Sequence, residues 1–122
     1  MKKVLIVEDE KMIRQGIRTM VQRSGVPVEE IIDCSNGLMA LEILGQNQID
    51  LMFTDIRMPK MDGIELVREI KNRGYETEIV AISGFDDFNY AVEMLRNGVR
   101  EYILKPVERQ KIAEILAKAE ED

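Results

Sequence analysis

Three carboxylates (Glu8, Asp9 and Asp55), the Ser83 hydroxyl and the Lys105 ammonium could do chemistry together in this sequence. Each stands at the end of a short apolar run: Val4–Val7, Leu51–Phe53, Ile79–Ile82 and Tyr102–Leu104. Three carboxylates in one place repel, and each resists ionising. A hard divalent cation resolves that conflict, and Mg²⁺ prefers oxygen ligands while keeping several waters. A phosphoryl oxygen can replace one water, Lys105 supplies a second positive charge, and Ser83 can donate a hydrogen bond. Asp55 is then left as a nucleophile of the aspartyl-phosphate type. The chemistry expected is acceptance of a phosphoryl group.

That set matters only if the chain brings it together. Between the apolar runs lie helical patterns. Ile13, Ile17, Met20 and Val21 recur at helical spacing, and Gly25-Val26-Pro27 breaks that helix. Ile31-Ile32 opens a weaker strand running to about Cys34, and Asn36 can cap a helix carrying Leu38, Leu41 and Leu44. Asp62 and Glu65 have capping-box spacing ahead of Leu66, Val67 and Ile70, and Gly74 ends that helix. Phe88, Ala91, Val92 and Leu95 form a fourth stripe, with Asp86-Asp87 at its N-terminus and Gly98 at its end. Ile112, Ile115 and Leu116 mark a fifth helix. Met58 and Met61 should pack beneath the loop after the third strand, and Cys34 should be a small apolar packer.

Strands separated by helices run parallel, joined by right-handed crossovers, and runs apolar on both faces fit a sheet covered on both sides. The expectation is one doubly wound α/β domain over residues 1–122, with no internal boundary. In such a sheet ligands bind outside the strand C-termini, and that edge is where the reactive set falls.

Composition narrows the function classes. Apolar residues make up 45% and charged residues 33%, which excludes a disordered or low-complexity chain. The net charge of −6 repels phosphate backbones and anionic lipid, so nucleic acid and membrane are not expected partners of this domain. No histidine is present, which removes histidine catalysis and histidine metal ligation. Lys2-Lys3 before Val4–Val7 imitates a signal peptide, but the apolar run is too short. With one cysteine, the expected location is the cytoplasm.

Thr54-Asp55-Ile56-Arg57-Met58-Pro59-Lys60-Met61-Asp62-Gly63, with Glu8-Asp9 upstream and Ser83 and Lys105-Pro106 downstream, resembles the receiver domain of two-component response regulators. The resemblance runs from Lys2 to about Ala119 and implies a flavodoxin-like (βα)5 sandwich with strand order 2-1-3-4-5. It makes Asp55 the phosphoacceptor for a sensor histidine kinase. It assigns Mg²⁺ to Asp9, Asp55 and the Arg57 carbonyl, with Glu8 helping through water. It places Lys105 and Ser83 on the phosphoryl group and makes Tyr102 an aromatic switch position. Lys105-Pro106 matches a peptide bond that is usually cis. Departures are small: Glu8 stands where Asp is commoner, Ser83 where Thr is frequent, and Arg57 at a site whose side chain tends to tune dephosphorylation.

Ser83 to Ala91 and Glu101 to Val107 are similar to a narrower group, YesN-like receivers of AraC-type regulators. Those usually precede a DNA-binding helix-turn-helix domain, and this chain stops after the fifth helix. It is therefore either an excerpt of a longer transcription regulator or a receiver that stands alone. Such a receiver catalyses its own phosphorylation and slow dephosphorylation, yet is mainly a switch. A homodimer formed on phosphorylation is compatible with the switching face. Two rivals are a binding module that works without phosphorylation and a phosphatase of the haloacid dehalogenase type. The first would be favoured by loss of Asp55 or Lys105, and both are present. The second expects an acid two positions after the nucleophile, where Arg57 stands.

Overall fold

Five apolar runs become five parallel strands in a computed structural model that describes residues 1–84 and 88–121. In chain order the elements are β1 (Lys3–Val7), α1 (Lys11–Gln22), β2 (Glu30–Cys34), α2 (Gly37–Gln46) and β3 (Leu51–Asp55). There follow α3 (Gly63–Asn72), β4 (Glu78–Ser83), α4 (Phe88–Arg96), β5 (Glu101–Leu104) and α5 (Arg109–Glu121). The sheet order is β2-β1-β3-β4-β5, with every neighbouring pair parallel. This is the flavodoxin-like α/β architecture that the resemblance implied.

The central strands are apolar on both faces because both faces are covered. Val4, Ile6, Leu51, Phe53, Val80 and Ile82 pack with Ile17 and Val21 of α1 and with Ile112, Ile115 and Leu116 of α5. Leu5, Val7, Met52, Ile79 and Ala81 face the other layer, against Leu41, Leu44, Leu66, Val67, Ile70 and Met94 of α2, α3 and α4. The chain thus changes sides between α1 and α2 and returns for α5. That change puts a crevice above the C-termini of β1 and β3.

Local chemistry sets the helix ends. The Asn36 side chain accepts from the Met39 amide at 3.0 Å. Asp62 accepts from the Glu65 amide at 2.9 Å, and Glu65 accepts in return from the Asp62 amide at 3.3 Å, a complete capping box. Met58, Met61 and Cys34 join the core as expected. Two expected core positions do not. Leu38 is exposed, since α2 is apolar nearly all round and buries Ala40, Leu41 and Leu44 instead. On α4 Leu95 is 53% exposed, while Met94 is fully buried beside Ala91. The Tyr90–Leu95 segment is apolar over a wider arc than the sheet can cover, so periodicity could not choose between neighbours. Phe85, Asp86, Asp87, Asp122 and the Phe88 side chain lie outside the described residues. No helix among the described residues is long and apolar enough to cross a membrane.

Candidate functional site

The β1–α1 turn, the end of β3 and the start of the β5–α5 connection meet at the crevice. β1 and β3 are hydrogen-bonded neighbours with Val7 beside Thr54, so their ends deliver Glu8, Asp9 and Asp55 side by side. One oxygen from each of these three carboxylates lies within 4.8 Å of the others. Glu8 and Asp55 are buried and Asp9 is exposed. Lys105 brings its Nζ to 3.2 Å from Glu8 Oε1 and 3.2 Å from Asp55 Oδ2. A single ammonium is therefore shared between two buried carboxylates, with a third carboxylate at the rim.

Asp55 is held on both sides. Its Oδ1 accepts from the Ile56 amide at 2.8 Å, and its Oδ2 accepts from Lys105. Its backbone carbonyl accepts from the Thr54 hydroxyl at 2.9 Å. The start of α3 closes directly against it: the Gly63 amide donates to the Ile56 carbonyl at 2.6 Å. A Cβ at Gly63 would stand 2.4 Å from the Asp55 carbonyl oxygen and 2.9 Å from Ile56 Cα. Only glycine allows that approach. Lys60, in the same connection, sits at a φ of 70°.

Glu8 shows the electrostatic tension most clearly. Its Oε2 accepts from the Glu10 amide at 3.0 Å, but its buried Oε1 has no hydrogen-bond donor among the described residues and faces the Lys105 charge at 3.2 Å. Burial, then Asp55 and Asp9, push its carboxyl up to about 7, against the pull of the Glu10 amide and Lys105. Burial works against the Lys105 ammonium, yet Asp55 and Glu8 together hold it above its ordinary value. An under-satisfied buried carboxylate oxygen among three converging carboxylates is a donor set that fits a hard divalent cation.

Two further sequence-predicted residues have their described contacts elsewhere. Ser83 ends β4, and its hydroxyl donates to the Gly84 carbonyl at 3.2 Å. The same oxygen is hydrogen-bonded to the Tyr102 hydroxyl of β5. Arg57 lies in the loop after β3, two residues from Asp55, and its guanidinium stacks over the Tyr90 ring of α4 at 5.2 Å from the centroid. The Lys105–Pro106 peptide is cis, as the resemblance implied. Sequence reasoning missed Arg14, whose Nη1 donates to the Glu8 carbonyl at 2.8 Å. An arginine one helical turn into an amphipathic helix gives no signal of that bond. It also read Gly63 only as part of a motif, although the closeness of α3 to Asp55 depends on it.

Comparison with known proteins agrees with this geometry. The family model described as response regulator receiver domain matches residues 4–117. An uncharacterized response regulatory protein of Staphylococcus epidermidis is 35% identical over 114 residues, 93% of this chain and 45% of that protein. The uncharacterized transcriptional regulatory protein YesN of Bacillus subtilis is 33% identical over 92% of this chain and 30% of its own length. The chain thus spans less than half the length of these two relatives. Among solved structures, the REC domain of AraT, a response regulator from Geobacillus stearothermophilus, is 36% identical. It superposes with a TM-score of 0.83, covering 98% of this chain and 92% of that one.

Proposed function

This chain belongs to the response regulator receiver domain family, and from that premise we propose that it accepts a phosphoryl group on Asp55 and converts it into a change of surface. The observation that carries the reading is the sharing of Lys105 between Glu8 and Asp55, with Asp9 alongside. The donor would be the phosphohistidine of a sensor kinase. An Asp55 carboxylate oxygen attacks phosphorus, an O–P bond forms as the N–P bond breaks, and the imidazole leaves with the electron pair. Mg²⁺ held by Glu8, Asp9, Asp55 and the Arg57 carbonyl would supply charge neutralisation for the transferring group.

The rest is done by the chain's own groups. The Ile56 amide fixes the orientation of the Asp55 carboxylate, which is positioning of the kind phosphoryl transfer depends on. Lys105 already points at the acceptor oxygen and is free to follow the charge once it sits on the phosphoryl group. Ser83 and Tyr102 are bonded to each other before phosphorylation. Drawing the Ser83 hydroxyl to the phosphoryl group would release the Tyr102 hydroxyl and bias α4 and β5 toward a second arrangement. An apolar groove lined by Ile13, Gly16, Met20, Val107 and Lys105 shares Lys105 with the pocket and would give a delivering partner a place to rest. YesN of Bacillus subtilis is named a transcriptional regulatory protein, and control of transcription is the output that the switched surface would serve.

The test is intact mass after incubation with acetyl phosphate, with and without Mg²⁺, beside Asp55→Asn. One phosphoryl adduct that requires both Mg²⁺ and Asp55 is the expected result. No adduct on a folded protein that binds Mg²⁺ would instead favour a binding module that works without phosphorylation.

A further inference from the structure

The acidic pocket is built on a turn that ought to spring open, because Glu8 and Asp9 leave adjacent residues toward a third carboxylate. Several bonds hold that turn. The Glu8 amide donates to the Cys34 carbonyl at 3.1 Å, tying the turn to the end of β2. The Glu10 amide donates to the Glu8 carboxylate. A further one comes from α1: Arg14 Nη1 donates to the Glu8 carbonyl at 2.8 Å. That carbonyl belongs to the peptide between Glu8 and Asp9, so holding it sets the direction in which both carboxylates depart.

The guanidinium is itself anchored. Its side chain is only 15% exposed, and its Nε, which makes no hydrogen bond among the described residues, stands 3.3 Å from Asp33 Oδ1 of β2 as an ion pair. The other oxygen of Asp33 is taken by Arg18 Nη1 at 2.7 Å. Arg14 thus bridges a fixed carboxylate on the sheet and the backbone of the turn. A planar, delocalised guanidinium can donate to the carbonyl and keep its charge beside Asp33 at once, whereas a lysine ammonium is a point charge that serves one partner well. Arg18 shares the same carboxylate through a more exposed side chain, and among the described residues it pairs with Asp33 alone.

We infer that Arg14 is a positioning residue for the acidic pocket: through the Glu8 carbonyl it holds Glu8 and Asp9 in place for the divalent cation, with Asp33 as its anchor. This rests on the Mg²⁺ reading above, and the test separates the two. Mg²⁺ titration by calorimetry is run on the full chain, Arg14→Lys, Asp33→Asn and, as control, Arg18→Lys. Outer groups that orient ligands typically change metal affinity 10–100-fold, so Arg14→Lys should weaken Mg²⁺ binding about 10-fold and Arg18→Lys by less than about twofold. At saturating Mg²⁺ the rate of adduct formation in Arg14→Lys should return to near the wild-type value, since the reacting groups are unchanged. In metal-free protein, amide exchange at Glu10 should speed up in Arg14→Lys and Asp33→Asn but not in Arg18→Lys. Unchanged Mg²⁺ affinity in folded Arg14→Lys, or equal weakening in Arg14→Lys and Arg18→Lys, would overturn the inference. Wild-type protein that fails to bind Mg²⁺ would sink the metal reading instead. Unchanged Glu10 exchange would then overturn the clamp as well.

Discussion

Glu8 is a carboxylate placed where water cannot solvate it, beside two others and one shared ammonium. Its folded pKa of about 7 lies above the ordinary 4.5, so the sign of its effect on the metal-free fold follows directly. The stabilisation it brings is fully present below about pH 4.5 and is lost as pH rises through about 7. Glu8→Gln, which cannot ionise, should therefore stabilise the protein at pH 8 in a chelating buffer, by on the order of 2 kcal/mol. Urea unfolding at pH 8 and pH 4.5 checks this; a gain of equal size at both values would contradict it. The positions of Glu8, Asp9, Asp55, Ser83 and Lys105 were legible because apolar runs end visibly and strand ends share an edge. The Ser83–Tyr102 bond was not legible. It depends on β4 and β5 pairing in the register that sets Ala81 beside Tyr102 and Ser83 beside Leu104, and no local pattern encodes that register.

At the scale of elements, the five strands and five helices described could be placed from periodicity and caps; the strand boundaries moved by only a residue or two, while α5, marked only by Ile112, Ile115 and Leu116, runs from Arg109 to Glu121. Asn36 and Asp62 were legible as caps because capping is a local bond to an amide two or three residues on. Which face a helix buries was less legible when its apolar arc was wide. The α4 helix is the clear case. Met94 is fully buried and Leu95 is more than half exposed, although the two are equally apolar neighbours. Truncation should separate them: Met94→Ala should cost about 2–5 kcal/mol, and Leu95→Ala about 0.5 kcal/mol or less. Thermal or denaturant unfolding of both variants checks the assignment, and similar losses would mean that the helix is rotated from the position described.

On the scale of the whole molecule, two apolar layers sandwich the sheet, and Cys34 lies within one of them. The thiol is 3% exposed, and burial first of all raises it to about 11. Both effects protect it, because the thiolate is the reactive form. Its alkylation by iodoacetamide at pH 8 should therefore be slower by orders of magnitude in native buffer than in denaturant. Labelling under native conditions should track opening of the fold rather than local chemistry; fast native labelling would show that the β2 edge opens independently. The doubly wound architecture itself was the most legible feature of all. Alternation of apolar runs and amphipathic helices admits few parallel topologies, and the crossover rule leaves a short choice among those. What the pocket's chemistry accomplishes in a cell was the least legible, since the relatives named regulators are more than twice as long as this chain.

Gly63 carries a consequence for descent. A methyl group there would lie 2.4 Å from the Asp55 carbonyl oxygen, a backbone atom with no flexible end to swing aside. Any mutational path through position 63 must re-route the connection from β3 to α3 before it can tolerate a side chain. That connection also carries Arg57 and begins at Asp55. Lineages can therefore vary the surface around this pocket while position 63 stays closed to substitution. A saturation library sorted only for folded protein would show the same closure, with no phosphorylation in the selection.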